Sequence, residues 1–244
     1  MERRSTVTLR QFEENDQRRV IYVFKNSMMD LFKPNYQRHL SYRRFINVFL
    51  LALCLYLSLY VYNSVLLCVV IVALIPTAYN ISTHIIFKQC IRKRLASDLK
   101  DIKTTYIDID SGSGNFWVAV YDGQIVGTVA LFLREFEGRG MQPELTTMYV
   151  HRKYRRLGIG TKLMNKAVQY ANDHQFSCVF LTTGEDNHEA RKLYIKTGFV
   201  KIREYVVNYH VLMSTVMTTY VLNLKPVVDD AVTATPDTSS IKQK

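Results

Sequence analysis

An α/β domain interrupted near its N-terminus by a helical membrane hairpin is the fold class that the sequence predicts, and three observations predict it. Between residues 115 and 224, short β-rich runs alternate with stretches of helical period, the pattern of a sheet flanked by helices. From Phe45 to Thr83 there is no Lys, Arg, Asp or Glu. The net charge of +11 over 244 residues gathers on either side of that block. Residues 1–44 carry 10 basic and 5 acidic side chains, residues 84–100 carry 5 and 1, residues 101–225 carry 15 and 12, and residues 226–244 carry 2 and 3.

Taken in order, Val7–Arg10 reads as a short strand. Asn15 or Asp16 is placed to cap a helix in which Val20, Val23, Phe24 and Ser27 recur at helical spacing. Beyond the apolar block, Ser97-Asp98 is placed to cap a helix from Leu99 to about Tyr106, and residues 111–114 (Ser-Gly-Ser-Gly) form a flexible turn. Phe116–Tyr121 and Ile125–Phe132 are strands joined by Asp122-Gly123, a strong short-range hairpin signal. Leu145–Val150 is a strand leading into the helix Gly158–Asn172, where Ile159, Leu163, Ala167 and Tyr170 share a face. Cys178–Leu181 is a strand, Glu189–Lys196 a helix stopped by Gly198, and Phe199–Leu224 is β-rich. Pro226 opens a Thr/Ser/Asp-containing tail expected to be disordered. The expected organisation is 1–44, N-terminal strand and helix; 45–87, membrane hairpin; 88–225, α/β core; 226–244, tail.

A single helix over Phe45–Thr83 would run about 58 Å at ~1.5 Å per residue, against a hydrocarbon core of ~30 Å. Asn63-Ser64 divides it into Phe45–Tyr62 and Val65–Ile81, each long enough for one short crossing, with a kink expected at Pro76. Arg43 and Arg44 precede the first half; Lys88, Arg92, Lys93 and Arg94 follow the second. Basic flanks mark the cytosolic side, so both ends are expected there. A basic excess that brackets an apolar segment, rather than filling a groove-binding element, argues against nucleic acid as a partner. The lipid bilayer, through residues 45–83, is the expected partner instead. Cys54, Cys68, Cys90 and Cys178 show no CxxC or metal spacing and read as free thiols. His151 and His188 lack a second ligand at metal spacing, so no metal is expected.

Two segments carry chemistry. Arg155-Arg156-Leu157-Gly158-Ile159-Gly160 follows a strand and opens a helix. Glycines there allow close backbone approach, and a helix N-terminus offers unpaired N–H groups to an anion. Arg152, Lys153, Arg155 and Arg156 suit phosphate, although turn glycines beside a solvated basic face would read the same way. The second segment is Asn187-His188-Glu189-Ala190-Arg191-Lys192-Leu193-Tyr194-Ile195-Lys196-Thr197-Gly198-Phe199.

On these two motifs the chain resembles the GCN5-related N-acetyltransferase superfamily. The R-x-x-G-x-G at 155–160 is similar to its acetyl-CoA pyrophosphate loop, and N-x-x-A-x-x-L-Y-x-x-x-G-F at 187–199 to its second signature. Over about residues 7–226 the resemblance narrows to the camello group of membrane-anchored acetyltransferases. It is carried by Thr8–Phe12 with Asp16, the apolar hairpin, Asp98 with Asp101-Ile102, Asn115–Ala119 and Val126-Gly127. That group includes cysteine-S-conjugate and aspartate N-acetyltransferases and members described as protein lysine acetyltransferases, all in the endoplasmic-reticulum membrane.

The resemblance implies a mixed central sheet flanked by helices, acetyl-CoA as co-substrate, and direct attack of an amine on the thioester. Backbone N–H groups of Arg156, Leu157, Gly158, Ile159, Gly160 and Thr161 would hold the pyrophosphate, beside the basic side chain of Arg155. A backbone N–H near Met148–Val150 would polarise the acetyl carbonyl. Tyr194 would protonate the departing thiolate; the alternative is a core aromatic. Glu144, 11 residues before Arg155 as in the superfamily's histone-modifying members, is the candidate base; the alternative is a surface glutamate at a strand start. Asn187 would bond the pantetheine arm or cap the helix. The implied acceptor is a small amino-acid-like amine. Lysine acetylation of membrane-associated proteins and a silent membrane-bound interaction module are the competing readings. The expected location is the endoplasmic-reticulum membrane, with the catalytic domain and both termini cytosolic. Neither the acceptor's identity nor the oligomeric state is set by the sequence.

Overall fold

Alternating apolar residues on β-favouring segments build the sheet that everything else packs on. The structure, a computed structural model, describes residues 6–31, 44–107, 114–210 and 213–224. Its strands are β1 (Thr8–Gln11), β2 (Asn115–Tyr121), β3 (Gln124–Glu135), β4 (Met141–Val150), β5 (Cys178–Gly184), β6 (Val200–His210) and β7 (Met213–Asn223). They form one seven-stranded sheet in the order β1-β2-β3-β4-β5-β7-β6. Every neighbouring pair is antiparallel except β4 and β5. The turn between β2 and β3 has positive φ at both Asp122 (49°) and Gly123 (71°), the geometry that matches the right-handed twist of a hairpin.

Six α-helices are described: α1 (Gln17–Asp30), α2 (Arg44–Tyr56), α3 (Val65–Ala96), α4 (Ile102–Tyr106), α5 (Ile159–Asp173) and α6 (His188–Lys196). On one sheet face α5 presents Ile159, Leu163, Met164, Ala167 and Ala171 to Trp117, Ala119, Val129, Leu131 and Leu145. On the other, Val20 and Phe24 of α1, Ile91 of α3 and Ile102 and Tyr106 of α4 pack with Phe116, Val118 and Ala130. Each large apolar side chain so buried stabilises the fold by about 1.5–3 kcal/mol before entropy is counted. Because β2 and β3 are covered on both faces, they read as continuous apolar runs rather than alternating ones.

Several boundaries differ from expectation. Ser97 ends α3, its N–H bonding the carbonyl of Lys93, and it is Asp101 that caps α4, accepting from the N–H of Thr104 at 3.1 Å. Asp16 stands before α1 without a capping bond. Its carboxylate instead takes the Arg10 guanidinium at 2.6 and 2.8 Å and the N–H of Glu13 at 2.9 Å. Burial pushes that carboxyl up, but the Arg10 and Glu13 bonds outweigh it and hold it below the ordinary value. β4 begins at Met141, so Glu144 lies within the strand and not at its start.

The apolar block does fold back on itself. α2 continues through a wider turn, Leu57–Val61; Asn63 has a φ of 44°. Ser64 then caps α3, its hydroxyl accepting from the N–H of Leu67 at 3.3 Å. α3 runs unbroken past Pro76 to Ala96. Among the described residues no helix is long and apolar enough to cross a membrane. The expected spans include side chains outside the described residues, at 45–47, 50, 68, 71, 72, 75, 76 and 79. The expected turn at 111–113 and the tail at 226–244 also lie outside them. Cys54, Cys90 and Cys178 are free thiols; the Cys68 side chain is not among the described residues.

Candidate active site

β4 and β5 run parallel and are paired at Glu144 and Phe180. No further pair joins them toward Val150 and Gly184, so their C-terminal ends part. In the gap, a cavity of about 510 Å³ is lined by Met148, Tyr149 and Val150 of β4, by the 154–161 loop and helix start, and by Asn187, Glu189, Ala190 and Leu193 of α6. Ser27 and Leu31 at the end of α1 close one side.

Left-handed backbone at Arg156 (φ 66°) and Gly158 (φ 75°) turns the chain from β4 into α5. Gly158 has open space around its Cα, so its conformation rather than crowding calls for glycine. Gly160 is the reverse case. A Cβ there would sit 3.3 Å from Leu193 and 3.7 Å from Met148, so its absence lets α5 close on α6 and β4. The first N–H groups of α5 have no helical acceptor and face the cavity with the positive end of the helix dipole. This cradle fits a pyrophosphate.

Of the residues expected to hold the cofactor, Met148, Val150, Arg155, Arg156, Gly158, Ile159, Gly160, Thr161 and Asn187 line the cavity. Leu157 does not, and is 51% exposed. The Arg155 guanidinium is engaged elsewhere: Nε donates to the carbonyl of Val150 at 2.9 Å and Nη2 pairs with Asp30 at 2.7 Å. Arg155 therefore ties the end of α1 to the end of β4. Asn187 precedes α6 but makes no side-chain capping bond, which leaves its amide for the cavity.

Tyr194 is not among the lining residues; it is buried on α6 with its ring 6.1 Å from Phe199 and 6.1 Å from Tyr220. Burial pushes its phenol far above the ordinary value, and Tyr149 and Tyr220 add to this; the group is a neutral O–H donor. Glu144 is outside the cavity, half-buried and paired with Arg134 at 2.8 Å. Burial raises its carboxyl, with Arg134 and Arg94 pulling it back down.

A bulge in β4 separates these groups. Thr128 opposes Tyr149 but Ala130 opposes Thr146, so Thr147 and Met148 together face Val129, and Thr147 takes a φ of 51°. Met148 packs toward α5, whereas Thr147 faces the opposite side, where Arg94 Nη2 donates to its hydroxyl at 3.1 Å. Sequence reasoning missed Tyr149, Tyr154, Asp30 and the inward turn of Arg94. No local pattern marks any of them; only the positive φ of the bulge reveals which residues of β4 change sides.

A parting parallel pair, a bulged strand and a glycine-rich helix start facing the gap define a transferase that takes its acyl group from a coenzyme A thioester. The Acetyltransferase (GNAT) family model matches residues 84–199. N-acetyltransferase 8 of Rattus norvegicus is 34% identical over 197 residues, 80% of this chain and 87% of that protein. N-acetylaspartate synthetase of Danio rerio is 30% identical over 209 residues, 84% of this chain and 70% of that protein. A GNAT-family acetyltransferase from Staphylococcus aureus Mu50 shares the fold, with a TM-score of 0.51 at 18% identity over 90% of this chain and 100% of that one. The chain belongs to the GNAT family of acetyltransferases, within the N-acetyltransferase 8 group, and is an acetyl-CoA-dependent N-acetyltransferase.

Proposed function

We propose that this chain is a membrane-anchored enzyme that moves the acetyl group of acetyl-CoA to the amino group of a small amino-acid-like acceptor, of the cysteine S-conjugate or aspartate type. The observation that carries the reading is the cavity onto which the 155–161 loop, Met148 of the β4 bulge and the uncapped Asn187 open, with the neutral Tyr194 phenol on the same helix as the lining residues Ala190 and Leu193. Acetyl-CoA supplies an activated acetyl thioester. The N–H groups at the start of α5 orient it through the pyrophosphate, and positioning of this kind accounts for much of the rate such direct transfers need. A backbone N–H near Met148–Val150 is placed to stabilise the negative charge that develops on the carbonyl oxygen. Glu144 accepts the ammonium proton, and Tyr194 donates its proton to the departing sulfur. The relatedness to an N-acetylaspartate synthetase favours a small acceptor. Full-length protein purified in detergent is expected to release coenzyme A thiol from acetyl-CoA with S-substituted cysteines or aspartate, and far more slowly with lysine peptides. Release with lysine peptides alone would favour the protein-modifying reading; acetyl-CoA binding without release would sink both and leave the interaction module.

The anchor is the hairpin over residues 45–83, and the proposed location is the endoplasmic-reticulum membrane with both termini cytosolic. Two features support it. The run has no charged side chain, and its apolar groups stand outward: Phe49 is 67% exposed, Leu66 74% and Tyr60 80%. A surface of that size and character is unusual facing water. In microsomes carrying the full chain, protease added outside is expected to degrade tags at both termini, while carbonate washing leaves the chain in the pellet. Protection of one tag, or extraction by carbonate, contradicts the hairpin.

A further inference from the structure

On the sheet face opposite α5, the last turn of α3 brings Arg94 into a polar cluster beneath the β4 bulge. Arg94 Nη2 pairs with Asp98 Oδ2 at 2.6 Å and donates to the Thr147 hydroxyl at 3.1 Å. The Tyr106 hydroxyl donates to the same Asp98 oxygen at 2.7 Å and lies 3.2 Å from the Thr147 hydroxyl. Since the one Tyr106 proton goes to Asp98, Thr147 donates to Tyr106 and accepts from Arg94. Every member of the cluster is thus satisfied except the arginine. Its Nε is buried without a hydrogen-bond partner, and its Nη1 has none among the described residues.

With Nη2 engaged and Nε shut away from solvent, Nη1 is the nitrogen left for a further acceptor, and a carboxylate would make a charge-assisted bond to it. Its position gives that acceptor a meaning. Thr147 precedes Met148, which lines the cofactor cavity. The Arg94 charge also acts on Tyr149, another lining residue, and on Glu144. Arg94 at the end of α3 and Glu144 in β4 therefore stand on the sheet face opposite α5, next to the β4 residues that line the cavity. That pairing complements a zwitterion, with its ammonium toward Glu144 and its carboxylate toward Arg94.

We infer that Arg94 anchors the carboxylate of the acceptor, so that the enzyme selects free amino acids over amines whose carboxyl is amidated or in a peptide bond. The inference rests on the proposed small-acceptor function and narrows it. The test uses full-length protein and acceptor pairs that differ only at the carboxyl: S-benzylcysteine with its amide, and aspartate with its α-amide. The wild type is expected to favour the acid by at least about tenfold in kcat/KM, as the loss of one charge-assisted bond requires. Read at alkaline pH, where Glu144 stays ionised even without the lowering influence of Arg94, Arg94→Gln is expected to bring the ratio near one with acetyl-CoA affinity retained. Arg94→Lys, which keeps the charge without the planar fork, should fall between; it carries the test if the glutamine variant does not fold. A wild-type ratio near one, an unchanged ratio in the variants, or equal loss on acid and amide with acetyl-CoA still bound would each overturn the inference. Failure of the underlying function looks different: no pair member is acetylated at all by wild-type protein that binds acetyl-CoA.

Discussion

Replacing Tyr194 with phenylalanine is expected to slow acetyl transfer by about a hundredfold, at the lower end of what a positioned acid contributes, while leaving acetyl-CoA affinity nearly unchanged. The two halves of that expectation have separate causes. Tyr194 is only 5% exposed and packs with Phe199 and Tyr220, and phenylalanine keeps the ring and its contacts. No hydrogen bond ties the hydroxyl to the described residues, so its removal strands no partner and costs little stability. What disappears is a proton held on oxygen by burial at any physiological pH, where the departing sulfur needs one. Thiol release measured at saturating acetyl-CoA, with cofactor affinity measured separately, distinguishes this from a packing role. Undiminished turnover in the variant would take Tyr194 out of the chemistry and return it to the core.

Glu144→Gln is expected to lower kcat/KM about a hundredfold near neutral pH and to abolish the acid limb of its pH profile. Only the ionised carboxylate can accept the ammonium proton. Burial raises the Glu144 carboxyl, while the Arg134 and Arg94 charges lower it. The balance lies above the ordinary glutamate value, so wild-type activity should fall as pH drops through a point higher than an exposed glutamate would give. Arg134→Ala removes one lowering influence. Its limb should shift to still higher pH, making the variant weaker in mild acid and similar to wild type at alkaline pH. Arg134 is 63% exposed, so solvent screening keeps that displacement modest. A glutamine variant with the wild-type acid limb would assign the base to another group or to water.

Much of this molecule is legible from local sequence because local sterics decide it. Asp122-Gly123 permits positive φ at consecutive positions, and a hairpin forms there. Asn63-Ser64 supplies a left-handed turn and a cap, and the apolar block reverses at that point. Gly158 and Gly198 take positive φ where the two motifs need a turn. Ser97, Asp98 and Asp101 are all good caps by type, yet it is Asp101 that caps α4. Which of them acts depends on where α3 stops, and contacts of α3 with distant strands decide that.

The sequence by itself determined the alternation of strands and helices, the charge-free apolar run, and the two motifs that bound the cofactor cavity, since each depends on residues within one or two turns of one another. Tertiary structure decided what the charged side chains do. Arg155 reads as a phosphate ligand but reaches Asp30 across 125 positions of chain. Arg94 reads as one of several basic residues flanking an apolar segment but turns inward to Thr147, 53 positions away. A charge gains little from sequence neighbours that water screens. It gains most from a partner in a shielded site, and only the folded sheet, bulged at Thr147, creates that site.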